Sequence, residues 1–168
     1  RMDLVFIWVM CAFFSILIHE LGHAITSELY GWHSQILMYF GGGLAIADRD
    51  GRSTPGRSIV VSFMGPGAGF LLLGLVIVVE NIFRVNQIWL HEYRVYTFYF
   101  LKLMNFWWGM LNLLPVLPLD GGNICASACQ MLRLRDAAGL TIKISAVVAG
   151  AVAYYAFVVA KQQFLGMM

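Results

Sequence analysis

Four apolar stretches of near-spanning length limit what this chain can fold into. Segment A covers about residues 4–30, segment B about 58–80, segment C about 94–118 and segment D about 140–160. A helix needs roughly 20 apolar residues to cross the hydrocarbon core of a bilayer, whereas a barrel strand needs about 10. In lipid every backbone N–H and C=O must be paired within the protein, so segments of this length read as helices. Composition agrees, with 60% of the 168 residues hydrophobic, 12% charged and a mean hydropathy of +0.76. A soluble domain carries about 25% charged residues. The expected fold class is an all-α integral membrane protein with about four transmembrane helices, forming a single domain over 1–168.

The connection between segments A and B breaks the pattern. The run His33-Ser34-Gln35-Ile36-Leu37-Met38-Tyr39-Phe40 is too short to span. Gly41-Gly42-Gly43 follow, then Leu44-Ala45-Ile46-Ala47 and the polar turn Asp48-Arg49-Asp50-Gly51-Arg52. Two apolar runs around a glycine turn predict a β-hairpin over about 33–47, lying against or dipping into the membrane.

Basic residues set the expected orientation. The A–B and C–D loops hold six, Arg49, Arg52, Arg57, Arg133, Arg135 and Lys143, against four on the other side, Arg1, Arg84, Arg94 and Lys161. This margin puts the two loops in the cytoplasm and His19 and His23 in the cytoplasmic half of the membrane. A net charge of +2 without a basic stripe argues against a nucleic-acid partner. Cys11, Cys125 and Cys129 lie in apolar stretches, match no metal or disulfide spacing, and read as core filler. The first residue is Arg1 rather than Met, which leaves room for sequence ahead of it.

Segment A carries His19-Glu20-Leu21-Gly22-His23. Residues four apart share one helix face, so both histidines can grip one metal ion. Glu20, turned roughly 100° from His19, can reach a water on that metal. A catalytic zinc takes three protein ligands and keeps one position open. Glu28, Glu80, His33 and His91 are available as the third ligand, but Asp120 stands out. It follows the apolar stretch Leu113-Leu114-Pro115-Val116-Leu117-Pro118-Leu119 and precedes Gly121-Gly122. A carboxylate there is costly unless paired or metal-bound. The two prolines break the helix, and irregular backbone at membrane depth is tolerated where it lines a wet cavity. Asn112, just before the break, suits either a substrate carbonyl or oxyanion contact or a hydrogen bond between helices. Lys102 reads as a snorkelling or inter-helix group, Trp89, Tyr96, Trp107 and Trp108 as interfacial anchors and packing, and Gly150 with Ala146 and Ala149 as a helix-packing face.

The His19–His23 motif together with Asn112-Leu113-Leu114-Pro115-Val116-Leu117-Pro118-Leu119-Asp120-Gly121-Gly122 resembles the site-2 protease family of intramembrane zinc metalloproteases. The resemblance covers segments A to C. It implies His19, His23 and Asp120 as ligands of one Zn2+ per chain, Glu20 as the catalytic residue and Asn112 as the substrate or oxyanion contact. It also implies hydrolysis of a peptide bond in or near a transmembrane segment of a membrane-protein substrate. The chain departs from the family pattern at Gly65-Pro66-Gly67-Ala68-Gly69, where Gly69 stands in place of an Asn; these glycines read as allowing close helix approach. Without a PDZ-like or CBS-like domain the chain is similar to the minimal form, which points to a bacterial cytoplasmic membrane with the active site toward the cytoplasmic side. The alternatives are a membrane metalloprotease with another third ligand and a non-proteolytic zinc-bearing scaffold or transporter.

Overall fold

The computed structural model describes residues 1–39, 42–48, 53–85 and 92–166. The hairpin tip at 40–41, the polar turn at 49–52, His91 and Trp89 lie outside the described residues. Five helices and one hairpin follow in the order α1 (Met2–Leu29), β1 (His33–Tyr39), β2 (Gly42–Asp48), α2 (Pro55–Val85), α3 (Glu92–Asn112), α4 (Asp120–Met131) and α5 (Ala137–Gly166). Three of them, α1, α2 and α5, are long and apolar enough to cross a membrane. The 21-residue α3 is less apolar, because it carries Glu92, Arg94, Lys102, Asn105 and Asn112.

The distribution of side chains is that of a protein dissolved in lipid. Buried positions are mostly small or polar: Ser15, His19, Glu20, Thr26, Ser27, Asn105 and Ser127. Phe6, Phe14, Leu71, Val78, Ile142 and Phe157 face outward. In water this arrangement would expose a large apolar surface; against acyl chains it leaves only the polar groups needing internal partners. These features describe an α-helical membrane protein.

Helix ends follow local chemistry. Beyond the last turn of α1, Gly31 N–H donates to Glu28 O at 2.9 Å and Trp32 N–H to Ser27 O at 3.0 Å. That pair of bonds needs a left-handed residue, and Gly31 supplies it with φ 75°. Pro55 opens α2, where no N–H is required, with Thr54 Oγ1 accepting from Arg57 N–H at 3.4 Å. Asp136 caps α5 by accepting from Gly139 N–H at 3.0 Å.

Around the site, α1, α2 and α3 pack against one another, α4 packs against α2, and α5 packs against α4. The Lys102 ammonium binds Glu80 at 2.5 Å, joining α3 to α2, which makes Lys102 an inter-helix group. The hairpin is antiparallel, with His33 opposite Asp48 and Ile36 opposite Ala45.

Two expectations about the chain change here. The helix of segment C ends at Asn112 rather than near 118, and a further 12-residue helix begins at Asp120. Pro115 and Pro118 have no N–H to continue the helix ladder, so the chain runs through a non-helical stretch at 113–119. The expected packing face of segment D also differs. Gly150, Ala146 and Ala149 are exposed, and Thr141 and Ser145 form the buried side of α5.

Candidate metal centre

His19 and His23 lie in the second half of α1, one turn apart, and both are buried. Asp120 is the first residue of α4. His19 Nε2 lies 3.0 Å from Asp120 Oδ2, His23 Nε2 3.2 Å from Asp120 Oδ1, and the two Nε2 atoms are 3.2 Å apart. No other three His, Cys, Asp or Glu residues among those described converge in this way. Of the other candidate ligands, Glu28 accepts hydrogen bonds from Ser34 N–H and Oγ, Glu80 binds Lys102, and His33 is exposed on β1.

The donor set fits zinc. Atoms bound tetrahedrally at about 2.0–2.1 Å lie roughly 3.3 Å from one another, close to the separations found here. The tautomer fits as well. His23 Nδ1 lies 2.7 Å from Val61 O, which can only accept, so Nδ1 carries the hydrogen. The neutral ring then presents its lone pair at Nε2, the atom that faces His19 and Asp120.

Different contacts hold the two arms of this centre. The α1 arm depends on close approach to α2. A Cβ on Gly65 would lie less than 3.0 Å from three atoms of the His23 ring, so only glycine leaves room for the imidazole. Gly22 performs the same service on α1. Its missing Cβ is where the Met64 carbonyl of α2 passes, so its space serves the crossing of α1 and α2. Gly67 and Gly74 meet no such demand.

The Asp120 arm depends on the 113–119 stretch. A Cβ on Gly121 would run into the carbonyls of Leu113 and Leu114, so α4 starts in contact with the end of the preceding segment. Ser145 of α5 braces the stretch, accepting from Leu117 N–H at 3.1 Å and donating to Pro115 O at 3.4 Å.

Glu20 is buried beside His19 on α1. Asn112, at the end of α3, donates its amide N–H to Trp108 O of its own helix at 2.9 Å. Asn105, which belongs to no sequence motif, is only 2% exposed. Its Nδ2 donates to Ser15 Oγ at 2.9 Å and to Leu101 O at 2.8 Å, linking α3 to α1 one turn before His19. Asn105 also faces Gly69, whose Cβ would lie 3.6 Å from Asn105 Oδ1. At the level where the family pattern has an Asn on α2, this chain has an amide from α3. An Asn inside an aromatic membrane segment was the available signal.

Comparisons with known proteins point to a family. The model of peptidase family M50 matches residues 7–157. A zinc metalloprotease of Methanocaldococcus jannaschii is 32% identical over 113 residues, covering 67% of this chain and 31% of that protein. Stage IV sporulation protein FB of Bacillus subtilis is 30% identical over 118 residues, covering 69% of this chain and 38% of that protein. The chain thus spans about a third of the length of these relatives. The solved site-2 protease from M. jannaschii shares its fold, with a TM-score of 0.65 over 94% of this chain and 68% of that one, at 24% identity. The family model's match spans most of the chain, and the chain belongs to peptidase family M50, the site-2 protease family.

Proposed function

We propose that this chain is an intramembrane zinc metalloprotease that hydrolyses a peptide bond in or near a transmembrane segment of a membrane-protein substrate. The observation that carries the reading is the convergence of His19 Nε2, His23 Nε2 and the Asp120 carboxylate to within 3.0–3.2 Å inside a helical membrane protein. His19, His23 and Asp120 are the ligands of one zinc ion per chain, and Glu20 is the catalytic residue. When bound, the zinc lowers the pKa of a water and polarises the scissile carbonyl. Glu20 accepts the proton of the attacking water at a carboxylate oxygen and returns it to the leaving amine nitrogen as the C–N bond breaks. Hydroxyl goes to the carbonyl carbon and hydrogen to the amine, so the hydrolysis balances. Asn112 holds the substrate carbonyl once its amide turns from Trp108 O.

Residues 1–168 act as one domain with four transmembrane helices, α3 being the fourth. Lys102 and Asn105, which pair with Glu80 of α2 and Ser15 of α1, turn polar groups of α3 toward its neighbouring helices and contribute to its lower apolarity. The basic-residue count favours a metal centre toward the cytoplasmic side, and the resemblance to the minimal family form favours a bacterial cytoplasmic membrane. The hairpin lies at the membrane and receives the substrate. A helix conceals its peptide bonds and must unwind before cleavage, and each strand of a two-stranded sheet has an outer edge to which an extended chain can add. Ile36→Pro and Met38→Pro remove donors from β1 and should lower turnover while zinc stays bound; unchanged turnover would sink this docking mode.

The main test uses purified protein reconstituted with single-span membrane substrates. Cleavage should stop on chelation, return with zinc, and fall by about 10²–10⁴-fold in Glu20→Gln with zinc still bound. A chain whose biological activity survives Glu20→Gln is a scaffold or transporter instead.

A further inference from the structure

A cleft of about 350 Å³ lies between the start of α2 and α4, and apart from Pro55 and Ala126 its lining is hydroxyl and amide. Thr54, Ser58 and Ser62 contribute from one turn after another of α2, and Asn123, Ser127 and Gln130 from one face of α4. Thr54 is exposed, Ser58 half-buried and Ser62 buried, so the cleft deepens along α2. Its deep end adjoins the metal centre. Ser62 follows Val61, whose carbonyl orients His23, and Asn123 lies one turn beyond Asp120 on α4.

We propose that this cleft is a subsite for the unwound substrate, holding a short stretch of uncharged, small-residue peptide next to the scissile bond. The inference rests on the proteolytic reading above. Its lining carries neither cations for an anionic ligand nor carboxylates for a metal. Hydroxyls and amides both donate and accept, which is what a peptide backbone requires. The distance from Thr54 to Ser62 is about 12 Å at 1.5 Å per residue, the length of three to four residues of extended chain at roughly 3.3 Å each. The need is physical. A transmembrane helix unwound for cleavage frees backbone groups that are costly to leave unpaired in lipid, and this cleft offers them partners beside His23 and Asp120. Branched apolar side chains would leave those partners unsatisfied, so the subsite selects Gly, Ser and Ala.

The test compares wild type with the Ser58→Ala/Ser127→Ala double variant on a single-span peptide in detergent, in two versions. One has Gly and Ser flanking the cleaved bond and the other has Leu. Wild type should prefer the Gly/Ser peptide at least tenfold in kcat/KM. The double variant should raise KM for that peptide about tenfold, hold kcat within twofold and lose most of the preference. Its zinc content should equal that of wild type. Binding of the same peptide to the Glu20→Gln form should weaken in parallel when the two alanines are added. A fall in kcat for both peptides at constant KM would mean that the cleft passes water only, and would overturn the proposal, as would no change at all. If the double variant does not fold, Ser58→Ala alone, at a half-buried position, decides by the same KM criterion. Wild-type cleavage that chelation does not stop would count against the proteolytic reading itself.

Discussion

The two arms of the candidate metal centre are built on different principles. His19 and His23 come from an unbroken helix, and their pairing follows from the helical repeat alone. Asp120 lies 101 residues from His19 in sequence and reaches it only because α3 stops, the chain passes through 113–119, and α4 begins against that stretch. The pairing within the first arm is local, although its seat depends on α2 through Gly65 and the Val61 carbonyl. The second depends on contacts from Gly121 to Leu113 and Leu114 and from Ser145 of α5. Changes in α5 should therefore reach the Asp120 arm, and changes in α2 the α1 arm.

The largest effects remove an arm or its chemistry. Asp120→Ala should abolish both zinc binding and cleavage. Glu20→Gln should leave zinc in place and lower cleavage by about 10²–10⁴-fold, the usual range for a positioned acid–base group. Next come the close approaches. Gly121→Ala forces a methyl into the carbonyls of Leu113 and Leu114 and should cost about 1–3 kcal/mol of stability, as overpacking generally does. Its zinc affinity should fall with it, measured by competition with a chromophoric chelator. Gly65→Ala displaces the His23 ring and should weaken zinc by about 10–100-fold, the range seen when a ligand's support is lost. The smallest effect is expected at Ser145→Ala. Loss of its bonds to Leu117 and Pro115 should cost about 1 kcal/mol and loosen zinc several-fold. Equal sensitivity of zinc affinity to Ser145→Ala and to a cavity-neutral change on the lipid face of α1, such as Phe6→Leu, would remove the asymmetry between the arms.

The same asymmetry governs what the sequence reveals. The histidine pair is visible because helical spacing is written into five consecutive residues. Asp120 is visible for another reason, since a carboxylate between an apolar run and two glycines needs a compensating partner. The hairpin is visible as two runs around glycines. The orientation of His23 by Val61 O is not, because any residue offers a backbone carbonyl. The end of α3 at Asn112 and the start of α4 at Asp120 are hidden for a related reason. Prolines forecast a break, but its length depends on where α4 meets Leu113 and Leu114. Helix faces in lipid are the hardest to read, since apolarity no longer distinguishes inside from outside. Small residues at Gly150 suggested a packing face, yet Thr141 and Ser145 turn inward.

Zinc content by elemental analysis of the detergent-purified protein, with wild type measured beside Glu20→Gln and Asp120→Ala, tests the central claim most directly. A site of three protein ligands predicts about one zinc per chain in wild type and in Glu20→Gln, and almost none in Asp120→Ala. A full complement of zinc in Asp120→Ala, or none in wild type, would contradict a centre made by joining α1 to the start of α4.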